Sequence, residues 1–168
     1  MANEKTLILN NEQIDKTIRR MAYEIVERNY NEQHIVLAGI VQRGNAIMEM
    51  LSKEIEKISG NIKVESCEIH LNSPKPNNIN IEVKPAIQQL EKKVLVIVDD
   101  VSNTGKALFY GMHPFIKENP LKIQTAVLVD RDHRTVPIKA DYVGLSLSTT
   151  LQEHISVELG NTNAVYLS

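Results

Sequence analysis

Two adjacent carboxylates, Asp99 and Asp100, end the apolar run Val94-Leu95-Val96-Ile97-Val98, and Val101-Ser102-Asn103-Thr104-Gly105-Lys106 follows at once. The run reads as a buried strand and the stretch from Ala107 to Lys117 as a helix, so a short loop feeds a helix N-terminus. Such a loop offers unpaired backbone N–H groups and a partial positive charge, both suited to phosphate. In open α/β sheets, ligands lie in the crevice outside the carboxyl ends of the strands. Gly105 lets the backbone approach closely, and Ser102 and Thr104 can donate hydroxyls. The carboxylates cannot serve the phosphate, because like charges repel. They suit neutral hydroxyls such as those of a ribose. Acid pair and phosphate loop together point to a sugar phosphate. The alternative is that the acids only cap the next helix and that Thr104-Gly105 is a plain turn, although two adjacent ionised groups are a poor choice for a turn.

A second buried run, Ile35 to Ile40, leads into Val41-Gln42-Arg43-Gly44 and then a helix. Arg43 beside the crevice can hold pyrophosphate oxygens through two parallel hydrogen bonds; the alternative is a surface arginine in a turn. Arg131 follows a third central strand, Ile123 to Val129, and is expected near the base or pyrophosphate end. His133 and Arg134 read equally as site residues or as solvated loop. Cys67 lies in an apolar strand pattern with Ile62, Val64 and Ile69, which favours a buried structural thiol over a nucleophile.

The elements that must position these residues alternate along the chain. Ile14, Ile18, Met21, Ala22 and Ile25 recur at helical spacing between Glu12 and Arg28, after a cap at Asn10 or Asn11. Ala46, Ile47, Met50, Leu51, Ile55 and Ile58 mark a second helix ended by Gly60. A strand runs from Ile62 to Leu71. Pro114 inside the third helix predicts a kink or an early end. Buried strands alternating with helices mean an open, mostly parallel sheet with helices on both faces. Beyond Asp130 the apolar pieces Tyr142–Leu147, Ile155–Leu159 and Ala164–Leu167 lack intervening helices, so the tail adds strands at an edge or a cap. The segment 72–85, with Pro74, Pro76, Pro85 and four asparagines, reads as a lid or binding loop or as a plain surface connection.

At 168 residues the chain fits one domain. Its net charge of −2 argues against a surface committed to nucleic acid. One cysteine allows no internal disulfide and suits a reducing compartment. No segment reads as a signal peptide or a membrane span, so a cytoplasmic location is expected.

Residues 94–106 resemble the phosphoribosyl pyrophosphate (PRPP) signature of type I phosphoribosyltransferases: apolar strand, two acids, small residues, Thr-Gly, then a basic residue. The resemblance implies that Asp99 and Asp100 bind the ribose, that Ser102, Asn103, Thr104, Gly105 and Lys106 hold the 5′-phosphate, and that Val101 between them is part of the substrate-binding segment. Ala107 stands where the family often has a further hydroxyl. Residues 39–44, 127–134 and 137–144 look like the bifunctional pyrimidine operon regulator/uracil phosphoribosyltransferase branch. That branch implies the same pyrophosphate role for Arg43, substrate contacts for its neighbours Val41, Gln42 and Gly44, a pyrimidine such as uracil as the accepting base, a nucleotide product, Mg²⁺ carried in by PRPP oxygens without an all-protein cage, and a homodimer or higher homo-oligomer.

Three departures stand out. The matching lid stretch, Leu71-Asn72-Ser73-Pro74-Lys75-Pro76, lacks the arginine of the look-alikes, leaving Lys75 or Lys84 for positive charge. That loss puts catalysis in question and leaves a nucleotide- or PRPP-binding regulator as the other reading. Arg19 and Tyr23 stand where the regulators carry Thr and His for messenger binding, and with the negative net charge RNA is not an expected partner. Asp132 replaces a glycine beside the presumed base site.

Overall fold

The computed structural model describes residues 5–72, 80–150 and 152–168. Its first helix, α1 (Asn11–Arg28), buries Ile14, Ile18, Met21, Ala22 and Ile25 along one stripe. Of the two asparagines before it, Asn10 is the cap: its side chain accepts from the Gln13 N–H at 2.9 Å, and the Gln13 side chain accepts from the Asn10 N–H at 2.8 Å. This reciprocal arrangement satisfies two backbone donors that the first turn would leave orphaned.

With strands numbered along the chain as β1 (Thr6–Leu9), β2 (His34–Ile40), β3 (Lys63–Asn72), β4 (Asn80–Lys84), β5 (Val94–Ser102), β6 (Lys122–Asp130), β7 (Tyr142–Ser146), β8 (Ile155–Glu158) and β9 (Ala164–Leu167), the main sheet has the order β4-β3-β2-β5-β6-β7. All its neighbours pair in parallel except β4, which runs antiparallel to β3. The middle stretches of the central strands, Ile35–Ala38, Val94–Val98 and Ala126–Val129, are apolar at every position because both faces are covered there. Leu37 and Val96 pack with Ile14, Ile18, Ile47 and Leu51, whereas their neighbours Ala38 and Ile97 pack with Leu108 and Phe115. Helices α1 and α2 (Arg43–Ile58) therefore cover one face and α3 (Lys106–Ile116) the other.

The expected α/β architecture is observed, with local corrections. Helix α2 begins at Arg43, three residues before the first apolar repeat, so Arg43 and Gly44 lie in its first turn. Helix α3 passes through Pro114 and stops two residues later. In the tail, β7 extends the main sheet, while β8 and β9 join β1 in a separate antiparallel sheet of order β1-β9-β8. Ile155, Val157, Val165 and Leu9 from this cap join the α1–α2 core, which Val101 and Leu145 also touch at the carboxyl ends of β5 and β7.

Strand β4 takes up part of the segment read as loop. Proline and asparagine density masked the alternation Asn80-Ile81-Glu82-Val83-Lys84, which pairs with β3 in the register His70↔Glu82. Residues 73–79, which hold Lys75 and the centre of the expected lid, lie outside the described residues. Among the described residues no helix is long and apolar enough to cross a membrane.

Candidate functional site

Strand β5 carries both acids inside the sheet, because its ladder with β6 continues through Ser102↔Asp130. Asp99 is buried, 8% exposed, and its Oδ1 accepts the Asp100 N–H at 2.9 Å. Burial, and then the neighbouring Asp100 charge, hold the Asp99 carboxyl well above the usual carboxylate range. One backbone hydrogen bond opposes that rise and is outweighed.

Gly44 brings α2 onto this strand end. A Cβ at residue 44 would stand 2.6 Å from the Val98 carbonyl oxygen and 3.2 Å from Asp99 Cα. Only glycine fits, and its neighbour Arg43 is thereby carried to the acids, Nη1 lying 3.7 Å from Asp100 Oδ2. The Arg43 side chain is 55% exposed, so this long ion pair holds it weakly and a polyanion can recruit it. The Val41 N–H is given to the Ile69 carbonyl at 3.0 Å, the Val41–Gln42 peptide is cis, and Gln42 is exposed.

The loop after β5 has the form expected of an anion cradle. Gly105 takes φ +78° immediately before α3, and no side chain caps that helix. The Lys106 N–H has only a long 3.4 Å contact to Thr104 Oγ1. The first turn of α3 contains no acid, so nothing there opposes an incoming phosphate. Ser102 is buried, Thr104 half-buried, and Asn103 and Lys106 exposed, while Val101 packs toward the core. A second loop lies along the first: the Arg131 N–H donates to Ser102 O at 2.9 Å and the Thr135 N–H to Thr104 O at 3.0 Å. Val136 Cγ2 would sit 3.1 Å from a Cβ at residue 105, so glycine is needed there for space as well as for φ.

The structure thus brings Arg43, Gly44, Asp99, Asp100 and the 102–106 loop to one end of the sheet. Arg131 lies at the same end, with its side chain turned away from the acids. Its backbone borders the loop, but its guanidinium is buried and committed to Thr149, Thr150 and Glu153. Arg134 also belongs here, its Nη2 lying 3.1 Å from Asp130 Oδ2 and 2.7 Å from Asp132 Oδ1. Asp132 adopts φ +58°, the left-handed region where glycine is otherwise at ease. Asp130 escaped notice in the sequence, although an acid closing a buried strand is the signal that selected Asp99. Lys84 is paired with Glu82 at 2.7 Å, and burial pushes the Cys67 thiol up to about 12, in keeping with a structural role.

Two further features bound the chemistry. A mixed groove of about 500 Å³, lined by Ile81, Val83 and Phe115 together with His113, Lys117 and Glu118, lies at the far end of α3 from the acids. Among the described residues no group of three or more His, Cys, Asp or Glu side chains can hold a metal. A hard cation at this crevice fits the residues present only if ligand oxygens complete its shell, with the part-exposed Asp100 carboxylate able to supply one protein oxygen.

Residues 5–160 match the model of the phosphoribosyl transferase domain. The chain is 38% identical to the "Bifunctional protein PyrR" of Clostridioides difficile over 93% of this chain and 92% of that protein. It is 37% identical to the protein of the same name from Bacillus subtilis, over 94% and 91%. Among solved structures, the hypoxanthine phosphoribosyl transferase of Trypanosoma cruzi superposes with a TM-score of 0.73 at 21% identity, covering 86% of this chain and 78% of that one, and so matches in fold. Strand end, acid pair, uncapped helix and the match over residues 5–160 agree: the chain belongs to the phosphoribosyl transferase domain family.

Proposed function

We propose that the protein transfers the ribose 5-phosphate of PRPP to a nucleobase, a pyrimidine such as uracil, and releases pyrophosphate. The observation that carries this is the buried Asp99 beside Asp100 at the end of β5, followed directly by the uncapped N-terminus of α3. The C1–O bond to pyrophosphate breaks as the C1–N bond to the base forms, through an oxocarbenium-like transition state that needs no protein nucleophile, and the proton on the attacking ring nitrogen leaves with the pyrophosphate. The 102–106 loop anchors the 5′-phosphate. Asp99 and Asp100 accept hydrogen bonds from the ribose hydroxyls, and the negative charge that the pair carries lies beside the cationic ring. Arg43 leaves Asp100 for the departing pyrophosphate, a move its exposure permits. Mg²⁺, when bound with PRPP, neutralises pyrophosphate charge.

A regulator that binds nucleotide or PRPP with little turnover is the second reading. It is favoured by the absence of arginine from residues 71–76 and by the pairing of Lys84 with Glu82. Losing one charge-assisted contact made in the transition state lowers a rate by roughly 10²–10³-fold. RNA is not part of this reading. On the α1–α2 face Lys16 pairs with Glu12, Arg20 with Glu24, and Arg19 and Lys57 with Glu54, so little net positive charge remains there. A cytoplasmic homo-oligomer completes the proposal.

The test is pyrophosphate release from PRPP–Mg²⁺ with a panel of bases, beside thermal-shift titration with PRPP, UMP and GMP. A bound ligand raises stability by RT ln(1 + [L]/Kd), so rank order reports the base. Turnover with uracil is expected. Tight UMP binding without turnover selects the regulator, and no response to any of these ligands sinks both readings.

A further inference from the structure

Arg131 is buried at 5% exposure, yet its guanidinium meets no carboxylate within ion-pair distance among the described residues. Instead Nε donates to Thr149 Oγ1 at 2.9 Å, and Nη2 donates to the carbonyls of Thr150 and Glu153 at 3.1 and 2.7 Å. His133 Nε2 donates to Thr149 O at 2.8 Å, and the Leu147 N–H donates to Asp130 O at 2.9 Å. The Glu153 carboxylate is turned back onto the Thr150 N–H at 2.6 Å. The connection from β7 to β8 is therefore fastened at its start, its middle and its end to residues 130–133, and most of the fastening comes from one planar fork of donors.

The strand order says what that connection faces. Arg43, at the end of β2, lies on one side of the acids on β5, and β6 and β7 lie on the other. If phosphate occupies the 102–106 loop and the leaving group goes to Arg43, the side left for the base is bounded by the end of β6 and by residues 147–150 and Glu153. We propose that Arg131 is a positioning residue that clamps residues 147–150 and Glu153 in place as a wall of the base end of the crevice, and that it does not grip pyrophosphate. The inference deepens the transferase reading and rests on it.

The two ligands of that reading separate the possibilities. Both carry the 5′-phosphate, but only UMP carries a base and only PRPP carries pyrophosphate. In the full-length protein, Arg131→Ala leaves the Thr150 and Glu153 carbonyls without their donor. Hydrogen exchange over 147–153 should then accelerate. The Kd for UMP and the KM for uracil should rise roughly 10- to 100-fold, as expected when positioning groups slip by an ångström or less. The Kd for PRPP should stay within about twofold, because uniform binding of the other substrate is untouched. Arg131→Lys should fall between, and Thr149→Ala, which removes one acceptor, supplies a milder variant should Arg131→Ala not fold. A fall in PRPP affinity equal to or larger than that for UMP overturns the proposal and returns Arg131 to the pyrophosphate site. Unchanged exchange over 147–153 overturns the clamp, and faster exchange with unchanged UMP affinity overturns the wall. Wild-type protein that binds neither UMP nor PRPP refutes the transferase reading, and the base wall with it, before any variant is made.

Discussion

Replacing Gly44 by alanine tests whether the site depends on backbone contact between α2 and β5. The new methyl carbon would stand 2.6 Å from Val98 O, and ordinary contact begins at 3.4 Å, so helix and strand must separate by about 0.8 Å (3.4 − 2.6) along that line. Neither neighbour yields easily, because Val98 is held in ladders on both sides of β5 and Asp99 in the ladder with β6. Overpacking of this kind costs about 1–3 kcal/mol. In a chain of this size that corresponds to a fall in melting temperature of roughly 2–12 °C. The same separation carries Arg43 away from Asp100 and from any pyrophosphate, and a misplacement near 1 Å costs roughly 10²-fold in rate. Scanning calorimetry and pyrophosphate release from PRPP–Mg²⁺ measure the two effects. Gly60→Ala is the control, since nothing lies within 4 Å of a Cβ there. A Gly44→Ala protein that melts and turns over like the wild type would refute the claim that this close approach builds the site.

Asp99→Asn should abolish turnover while raising stability at neutral pH. The folded pKa of Asp99 lies above the value of about 3.9 for an unfolded chain, so stability is lost as pH rises between the two values. The gain on replacement should therefore be absent below about pH 4 and grow above it. Chemical denaturation across pH measures it, and a variant less stable than wild type at pH 7 contradicts the burial argument. Arg43→Ala should lower kcat by roughly 10²–10³-fold while Arg43→Lys recovers part of that, whereas equal activity in all three would remove Arg43 from the leaving-group site. The Cys67 thiol, pushed up to about 12 and 1% exposed, should resist iodoacetamide at pH 8 until the protein is unfolded; mass spectrometry showing rapid native labelling would contradict the packed β3 interior.

The parts of the fold that were legible in the sequence are those in which one physical signal dominates. Strands buried on both faces leave unbroken apolar runs, and helices over such a sheet leave a repeating stripe, so β2, β5, β6, α1 and α2 could be located within a few residues. Strand β1 spans only four residues, which is too short to establish a period. Strand β4 does alternate, but its asparagine and the prolines on either side argued for loop. At the site, Asp99, Asp100 and Gly105 could be read because an acid pair at a strand end and a glycine before a helix each have few structural uses.

Arg131 shows where such reading stops. Sequence position placed its Cα correctly, at the carboxyl end of a central strand beside the phosphate loop, but position does not say which way a side chain turns. The partners that decide this, Thr149, Thr150 and Glu153, lie 18, 19 and 22 residues further on, in a segment with no periodicity of its own. Asp130 makes the same point from the other side. It closes β6 as Asp99 approaches the close of β5, yet the sequence pattern draws attention to Arg131 beside it. In the folded chain Arg131 is turned inward as a clamp, whereas Asp130 stays beside the crevice, paired with Arg134. A charged residue at a strand end thus marks the crevice in both cases, and whether it meets a substrate or the protein itself is set by the tertiary contacts of the segment that returns across it.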